Sequence, residues 1–93
     1  MPAAAKLDLR DLCGVGLSIE RDLKKIGVTT VADLALQDGQ ELYARLCQFT
    51  GSRQDPCVLD TFRCAVAQAR DPHLPVEQRN WWWWSRRRKE GRL

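Results

Sequence analysis

The stretch "LCGVGLSIERDLKKIGVTTVADL" (residues 12–34) decides the fold. It opens with two glycines around one apolar residue, Gly14-Val15-Gly16, and a helical pattern follows at once. Ile19, Leu23 and Ile26 recur at spacings of four and three, so they share one helix face, and the pattern stops at Gly27. Gly27 suits the left-handed cap that closes many helices. "TVAD" (30–33) reads as a capping box, with Thr30 accepting an amide and Asp33 reaching back, and it opens another short helix with Val31 and Leu34 inward. A link of two or three residues between helices requires positive φ or close backbone approach. Gly14 and Gly16 allow either without a Cβ penalty. Val15 between them points into the groove between the helices and locks the turn.

The same signals continue on both sides. "LDLRDLC" (7–13) places Leu7, Leu9 and Leu12 for a short helix that Gly14 stops. "DGQE" (38–41) is another helix start, leading into "LYARLCQFT" with Leu42, Leu46 and Phe49 inward. Asp55-Pro56 is an N-cap followed by proline at the first helical position. It launches "CVLDTFRCAVAQA", where Leu59, Phe62, Val66 and Ala69 form one stripe. Pro72 and Pro75 break that helix. Strand alternation is nearly absent, so the expected fold is all-α: a compact five-helix domain whose helices pack in sequence order.

Ninety-three residues suit one domain. The net charge of +3 is unevenly placed. Residues 1–84 carry ten basic and eleven acidic side chains, whereas 85–93 carry five basic and one acidic. That excludes a uniformly basic nucleic-acid binder and leaves a locally basic one. No apolar run is long enough for a membrane span, and "MPAAAK" lacks the order of a signal peptide, so a cytoplasmic protein with reduced cysteines is expected. The cysteines (13, 47, 57, 64) contain no C-x-x-C pair. Cys57 and Cys64 lie seven apart on one helix, and with Cys47 and His73 they are the only set that could approach a metal site. As small apolar core residues they need no metal, and none is expected. His73 sits between two prolines without a partner, and no cysteine has a His or Lys beside it in sequence. No catalytic constellation emerges, so a non-enzyme is expected.

On the glycine hairpin and its flanking helices, residues 12–34 resemble the helix-hairpin-helix family. More narrowly, "LYARLCQFTGSRQDPCVLDTFRCAVAQA" followed by a tryptophan-rich end is similar to the small bacterial pathogenicity-locus family of helix-hairpin-helix proteins, over about 12–84. The resemblance implies a paired helix-hairpin-helix (SAM-like) architecture, with a first hairpin at 7–27 and a second at 38–69 inside a domain of 7–70. It implies a sequence-nonspecific DNA contact in which the amides of Gly14, Gly16, Ser18 and Ile19 hold a phosphate. The carbonyls of Arg10, Leu12 and Val15 would hold a bridging monovalent cation. The physics of a helix N-terminus agrees, because its free N–H groups and partial positive charge bind phosphate without a basic side chain. Arg21, Lys24 and Lys25 on the second helix and Arg53 in the second loop would add to the contact. Two positions depart from the family pattern. Leu17 stands where a basic residue or proline is common, and Glu20 places a negative charge one turn from the phosphate while suiting the helix dipole.

The end of the chain, "NWWWWSRRRKEGRL" (80–93), follows a Pro/Trp-rich segment (71–84) expected to pack partly on the core. Four adjacent side chains cannot share one face, so one or two of Trp81, Trp82, Trp83 and Trp84 pack inward and the rest stay exposed. With Arg86, Arg87 and Arg88 outward they form an interaction surface for nucleic acid, a protein partner or a second copy; membrane insertion fits poorly. Residues 1–6 and 85–93 are expected to be disordered. The expected function is a non-catalytic, sequence-nonspecific DNA-binding accessory protein. The alternative is a protein–protein interaction module, homodimeric or otherwise, that uses the tryptophan surface without DNA.

Overall fold

The computed structural model describes residues 8–92, and five α-helices and two single 3-10 turns order those residues; the expected disordered segment 1–6 lies outside them, as do Leu7 and Leu93. A 3-10 turn at Leu9–Asp11 precedes α1 (Leu17–Lys25), α2 (Val31–Ala35), α3 (Gly39–Thr50) and α4 (Pro56–Arg70). A second 3-10 turn (Val76–Arg79) leads into α5 (Trp81–Lys89). The described residues contain no strand. The all-α expectation holds, with one exchange of helices.

The first expected helix is only a 3-10 turn. Leu12 already has extended backbone (φ −80°, ψ 141°), so the chain leaves the helical region after one turn. Leu9, Leu12 and Val15 are all buried, so the segment is held by packing onto the core rather than by a continuing helix. The fifth α-helix is instead the tryptophan segment. The disordered tail expected from residue 85 does not form over Ser85–Lys89, because α5 runs through it and closes in a defined cap. Gly91 (φ +71°) donates to the Arg88 carbonyl at 3.1 Å and Arg92 donates to that of Arg87 at 2.8 Å.

The end of α1 has the same cap. Gly27 (φ +92°) donates to the Lys24 carbonyl and Val28 to that of Leu23, at 3.1 and 2.9 Å. The apolar contact that accompanies this cap is between Leu23 and Val28, both fully buried. At the start of α2, Thr30 accepts the Asp33 amide at 3.0 Å, while the Asp33 carboxylate turns to the Thr29 hydroxyl at 3.2 Å rather than to the Thr30 amide. Asp38 and Asp55 cap α3 and α4, each accepting an amide at 2.8 Å.

α4 is the hub, touching α2, α3, α5 and the second 3-10 turn. Its inward face is rotated from the expected stripe. Asp60, Thr61, Phe62, Cys64, Ala65 and Val66 are buried, whereas Leu59 is half-buried. Phe62 sits with Leu23, Leu34, Leu42 and Leu46 in the fully buried centre, each side chain contributing about 1.5–3 kcal/mol by transfer. α3 and α4 meet closely because position 39 is glycine: a Cβ there would stand 2.8 Å from the Arg63 Cα. Phe49, expected inward on α3, is instead 61% exposed. Several arginines tie loops to helices. Arg70 donates to the carbonyls of Ala35 and Gln37, at 2.8 and 2.7 Å, and Arg45 to the carbonyl of Ile26 and, at 3.0 Å, to the Gln37 side chain.

Candidate nucleic-acid interface

The Gly14-Val15-Gly16 loop is held from both sides. Val15 is 4% exposed in the core. Below the loop, the Gln68 side-chain amide on α4 pairs with the backbone of Cys13 in both directions, accepting from its N–H at 2.9 Å and donating to its carbonyl at 3.0 Å. Only Gly14 uses the left-handed region, at φ +84°. Gly16, expected to need positive φ or close approach, has φ −92°, and a Cβ at this position would meet nothing within 4 Å. Its role is different: as the N-cap of α1 it offers no side chain to the first turn. The amides of Gly14, Gly16, Leu17, Ser18 and Ile19 donate to no acceptor among the described residues. α2, α3 and α4 each have one such amide taken by a side chain. The α1 end therefore presents a row of uncapped N–H groups, with Gly14, Gly16, Leu17 and Ser18 exposed.

The charges nearby are partly spent. Glu20 pairs with Lys24 and Lys25 with Asp22, each at 3.8 Å. Arg10 and Arg21 are exposed and have no carboxylate partner among the described residues. Of the carbonyls expected to hold a cation, that of Leu12 accepts the Val15 amide at 3.2 Å, while those of Arg10 and Val15 accept none from the described residues.

The second loop is not equivalent to the first. Asp55 occupies the Cys57 amide, and that bond holds the Asp55 carboxyl below its ordinary pKa, so a fixed negative charge sits where a phosphate would go. Gln54 is pinned as well. Its carbonyl accepts from the Tyr43 hydroxyl, its N–H donates to Cys47 Sγ at 3.4 Å, and its side chain donates to Thr50 at 2.9 Å. Arg53 is exposed in this loop without an ion-pair partner among the described residues.

α5 separates the tryptophans. Trp81 and Trp82 are 40% and 44% exposed. Trp83 and Trp84 are half-buried in an edge-to-face pair at 5.0 Å, and Trp84 Nε1 donates to the Gln78 carbonyl at 2.8 Å. Arginines one turn on stack over two of the rings, Arg86 on Trp82 at 5.1 Å and Arg87 on Trp83 at 4.2 Å. Arg88 does not point outward as expected. It forks onto the fully buried Asp60 carboxylate with bonds of 2.8 and 3.0 Å, which raises the Arg88 pKa above its already high ordinary value. Asp60 and Gln68 are the two positions that sequence reasoning missed. Neither lies on the stripe expected from Leu59, Phe62, Val66 and Ala69, so neither left a local signal.

Burial pushes the Cys64 thiol up to about 11, and a bond with Asp55 raises that of Cys57, so neither is an activated nucleophile. His73 is exposed in the α4–α5 connection, its amide bound to Asp71 at 2.9 Å. Among the described residues no cluster of His, Cys, Asp or Glu could hold a metal ion, and no helix is long and apolar enough to cross a membrane.

Residues 3–90 match the pathogenicity locus family (Cdd1), and the chain belongs to that family. It is also 47% identical over 62 residues to the mitomycin resistance protein McrB of Streptomyces lavendulae, an overlap covering 67% of this chain. The matched region spans 59% of that relative's length. No solved structure matches.

Proposed function

We propose that this member of the pathogenicity locus family is a non-catalytic, sequence-nonspecific DNA-binding accessory protein of paired helix-hairpin-helix type, acting in the cytoplasm. The observation that carries the reading is the uncapped first turn of α1. Its amides converge at an exposed end whose partial positive charge favours an anion, and a DNA phosphate is the anion that such a turn holds without reading bases. Arg10 and Arg21 flank it as unpaired cations, and the Arg10 and Val15 carbonyls leave room for a monovalent cation bridging to the phosphate. The second hairpin contributes Arg53 alone, because Asp55 blocks its amides.

The exposed Trp81 and Trp82 favour a second reading, a protein-interaction module that is homodimeric or binds another chain. Ser18→Asp separates the two. Ser18 is exposed in the first turn of α1, so an acid there complements the dipole and stabilises the fold by about 0.3–1 kcal/mol. The same acid repels a phosphate and competes for its amides. On the DNA reading, duplex affinity falls roughly ten- to a hundredfold, the worth of one or two lost charge-assisted bonds, while melting rises. Unchanged duplex affinity in a variant that melts higher would remove the hairpin from the DNA contact.

A further inference from the structure

α5 and the start of α4 enclose a groove of about 430 Å³, lined by Cys57, Trp81, Trp82, Ser85, Arg86 and Lys89. Its size lies within the range of small-ligand pockets. Two indoles supply its apolar surface, and no Leu, Ile, Val, Met or Phe joins them. A groove built to seat an amphipathic helix would have such aliphatic side chains. No carboxylate lines it, and Arg86 and Lys89 have no ion-pair partner among the described residues. Arg86 is already set by stacking on Trp82, which leaves its N–H groups to reach outward.

The groove is also rigid. The Arg88–Asp60 fork fixes α5 on α4, the Trp84–Gln78 bond ties it to the second 3-10 turn, and the Gly91 cap closes its end. Aromatic faces beside unpaired cations on a fixed frame are the chemistry that binds a nucleobase and its phosphate.

We infer that this groove takes an unpaired base of a single-stranded DNA segment, stacked on the exposed indoles, with the adjoining phosphate on Arg86 and Lys89. The base must be unpaired, because a duplex hides both faces of every internal base in the stack. The inference rests on the DNA-binding reading and names the DNA form. Cys57 in the groove, Cys64, and Gln68 under the hairpin loop follow at spacings of seven and four, so they share one face of α4. Eleven residues at about 1.5 Å each separate groove and loop by roughly 16 Å. That is about five base steps of a duplex strand at ~3.4 Å. A duplex phosphate on the hairpin and an unpaired base in the groove therefore suit one DNA that carries a short single-stranded extension.

The test is titration of the whole chain, followed by tryptophan fluorescence, with three probes: oligo-dT, a blunt duplex, and the same duplex with a six-nucleotide extension. The expected result is quenching by oligo-dT and an extended duplex bound roughly ten- to a hundredfold more tightly than the blunt one. Trp81→Ala/Trp82→Ala should abolish that preference and leave blunt-duplex affinity unchanged. Arg86→Gln/Lys89→Gln, which removes two exposed charges and the stacking of Arg86 on Trp82, should weaken oligo-dT binding and flatten its salt dependence by about two counterions. Ser18→Asp should weaken the blunt duplex and spare oligo-dT. Oligo-dT binding that survives a Ser18→Asp variant of unchanged duplex affinity would sink the hairpin reading and uphold this one. Absence of quenching by oligo-dT beside intact duplex binding would overturn this inference alone. So would a wild-type dimer in sedimentation that Trp81→Ala/Trp82→Ala dissociates without any effect on oligo-dT, since a second copy would then fill the groove.

Discussion

Arg88→Ala should unfasten α5. Asp60 is completely buried in the middle of α4, and its two oxygens accept from one guanidinium at 2.8 and 3.0 Å. Removing one partner of a buried pair costs about 3–5 kcal/mol, because it strands the other charge. The Arg88 side chain is 27% exposed, so water screens part of the interaction and the cost falls to about 2–4 kcal/mol. A domain of this length has roughly 5–14 kcal/mol in total. At about 4–8 °C per kcal/mol, melting followed by far-UV circular dichroism should fall by roughly 8–32 °C. Asp60→Leu/Arg88→Met replaces the pair by apolar groups of similar size and should recover most of the loss. Because Asp60 raises the Arg88 pKa, the pair's contribution through Arg88 is complete below the ordinary arginine value and is lost only above it. The Arg88→Ala deficit should therefore not arise from arginine titration anywhere near neutral pH. A chain cut after Trp84 should melt as low as Arg88→Ala, although a short, mostly polar terminus reads as dispensable. Melting of Arg88→Ala within about 2 °C of wild type would refute the reasoning, and so would a double variant no better than the single one.

The two hairpin glycines should separate. Gly14→Ala forces a side chain to φ +84° and should cost about 1–2 kcal/mol, whereas Gly16→Ala, at φ −92° with open space around it, should shift denaturant stability by no more than about 0.5 kcal/mol; equal effects would mean that the loop is misread. Asp55 is held below its ordinary carboxyl value of 3.8 by the Cys57 amide, so its stabilisation is present above 3.8 and is lost as pH falls through the lower folded value. Asp55→Asn keeps a cap but removes that titration, and its melting temperature should fall less than wild type between about pH 5 and pH 2. An identical acid limb in both proteins would show that Asp55 does not contribute to it.

The central helices were legible because their signals are local. Thr30, Asp38 and Asp55 mark starts and Gly27 and Gly51 mark stops, since each satisfies a helix-end group within a few residues. α5 carried comparable signals: Asn80 before the run, basic residues in its last turn and Gly91 after it. Four tryptophans masked them, because the apolar side chains show no helical period. The first turn failed for the opposite reason. Leu9 and Leu12 looked helical, but with Val15 they are held by packing onto the core rather than by a continuing helix. The rotated face of α4 was illegible wherever polar residues turn inward, since Asp60 needs Arg88 from 28 positions away and Gln68 needs Cys13 from 55. Of the candidate site, the α1 end was readable from Gly14 and Gly16. The inward turn of Arg88 was not, and the Asp55 cap, itself legible, had not been weighed against a phosphate contact at the second loop.

The same long-range contacts explain why the net charge of +3 misleads. Arg88 is neutralised by Asp60, while Arg45, Arg70 and Arg79 keep their charge but have N–H groups committed to backbone carbonyls, which leaves fewer of them to bond a phosphate directly. Glu20 and Asp22 draw on Lys24 and Lys25. Apart from Arg53 and Arg63, the other cations without carboxylate or backbone-carbonyl partners among the described residues cluster at two places, Arg10 and Arg21 around the first loop and Arg86, Arg87 and Lys89 along α5. Both places are mounted on α4, one through Gln68 and the other through Asp60. A single rigid helix thus fixes the distance between a row of free amides and a pair of exposed indoles. Loosening the Asp60 end should therefore cost the preference for extended duplexes before it costs duplex binding at the hairpin.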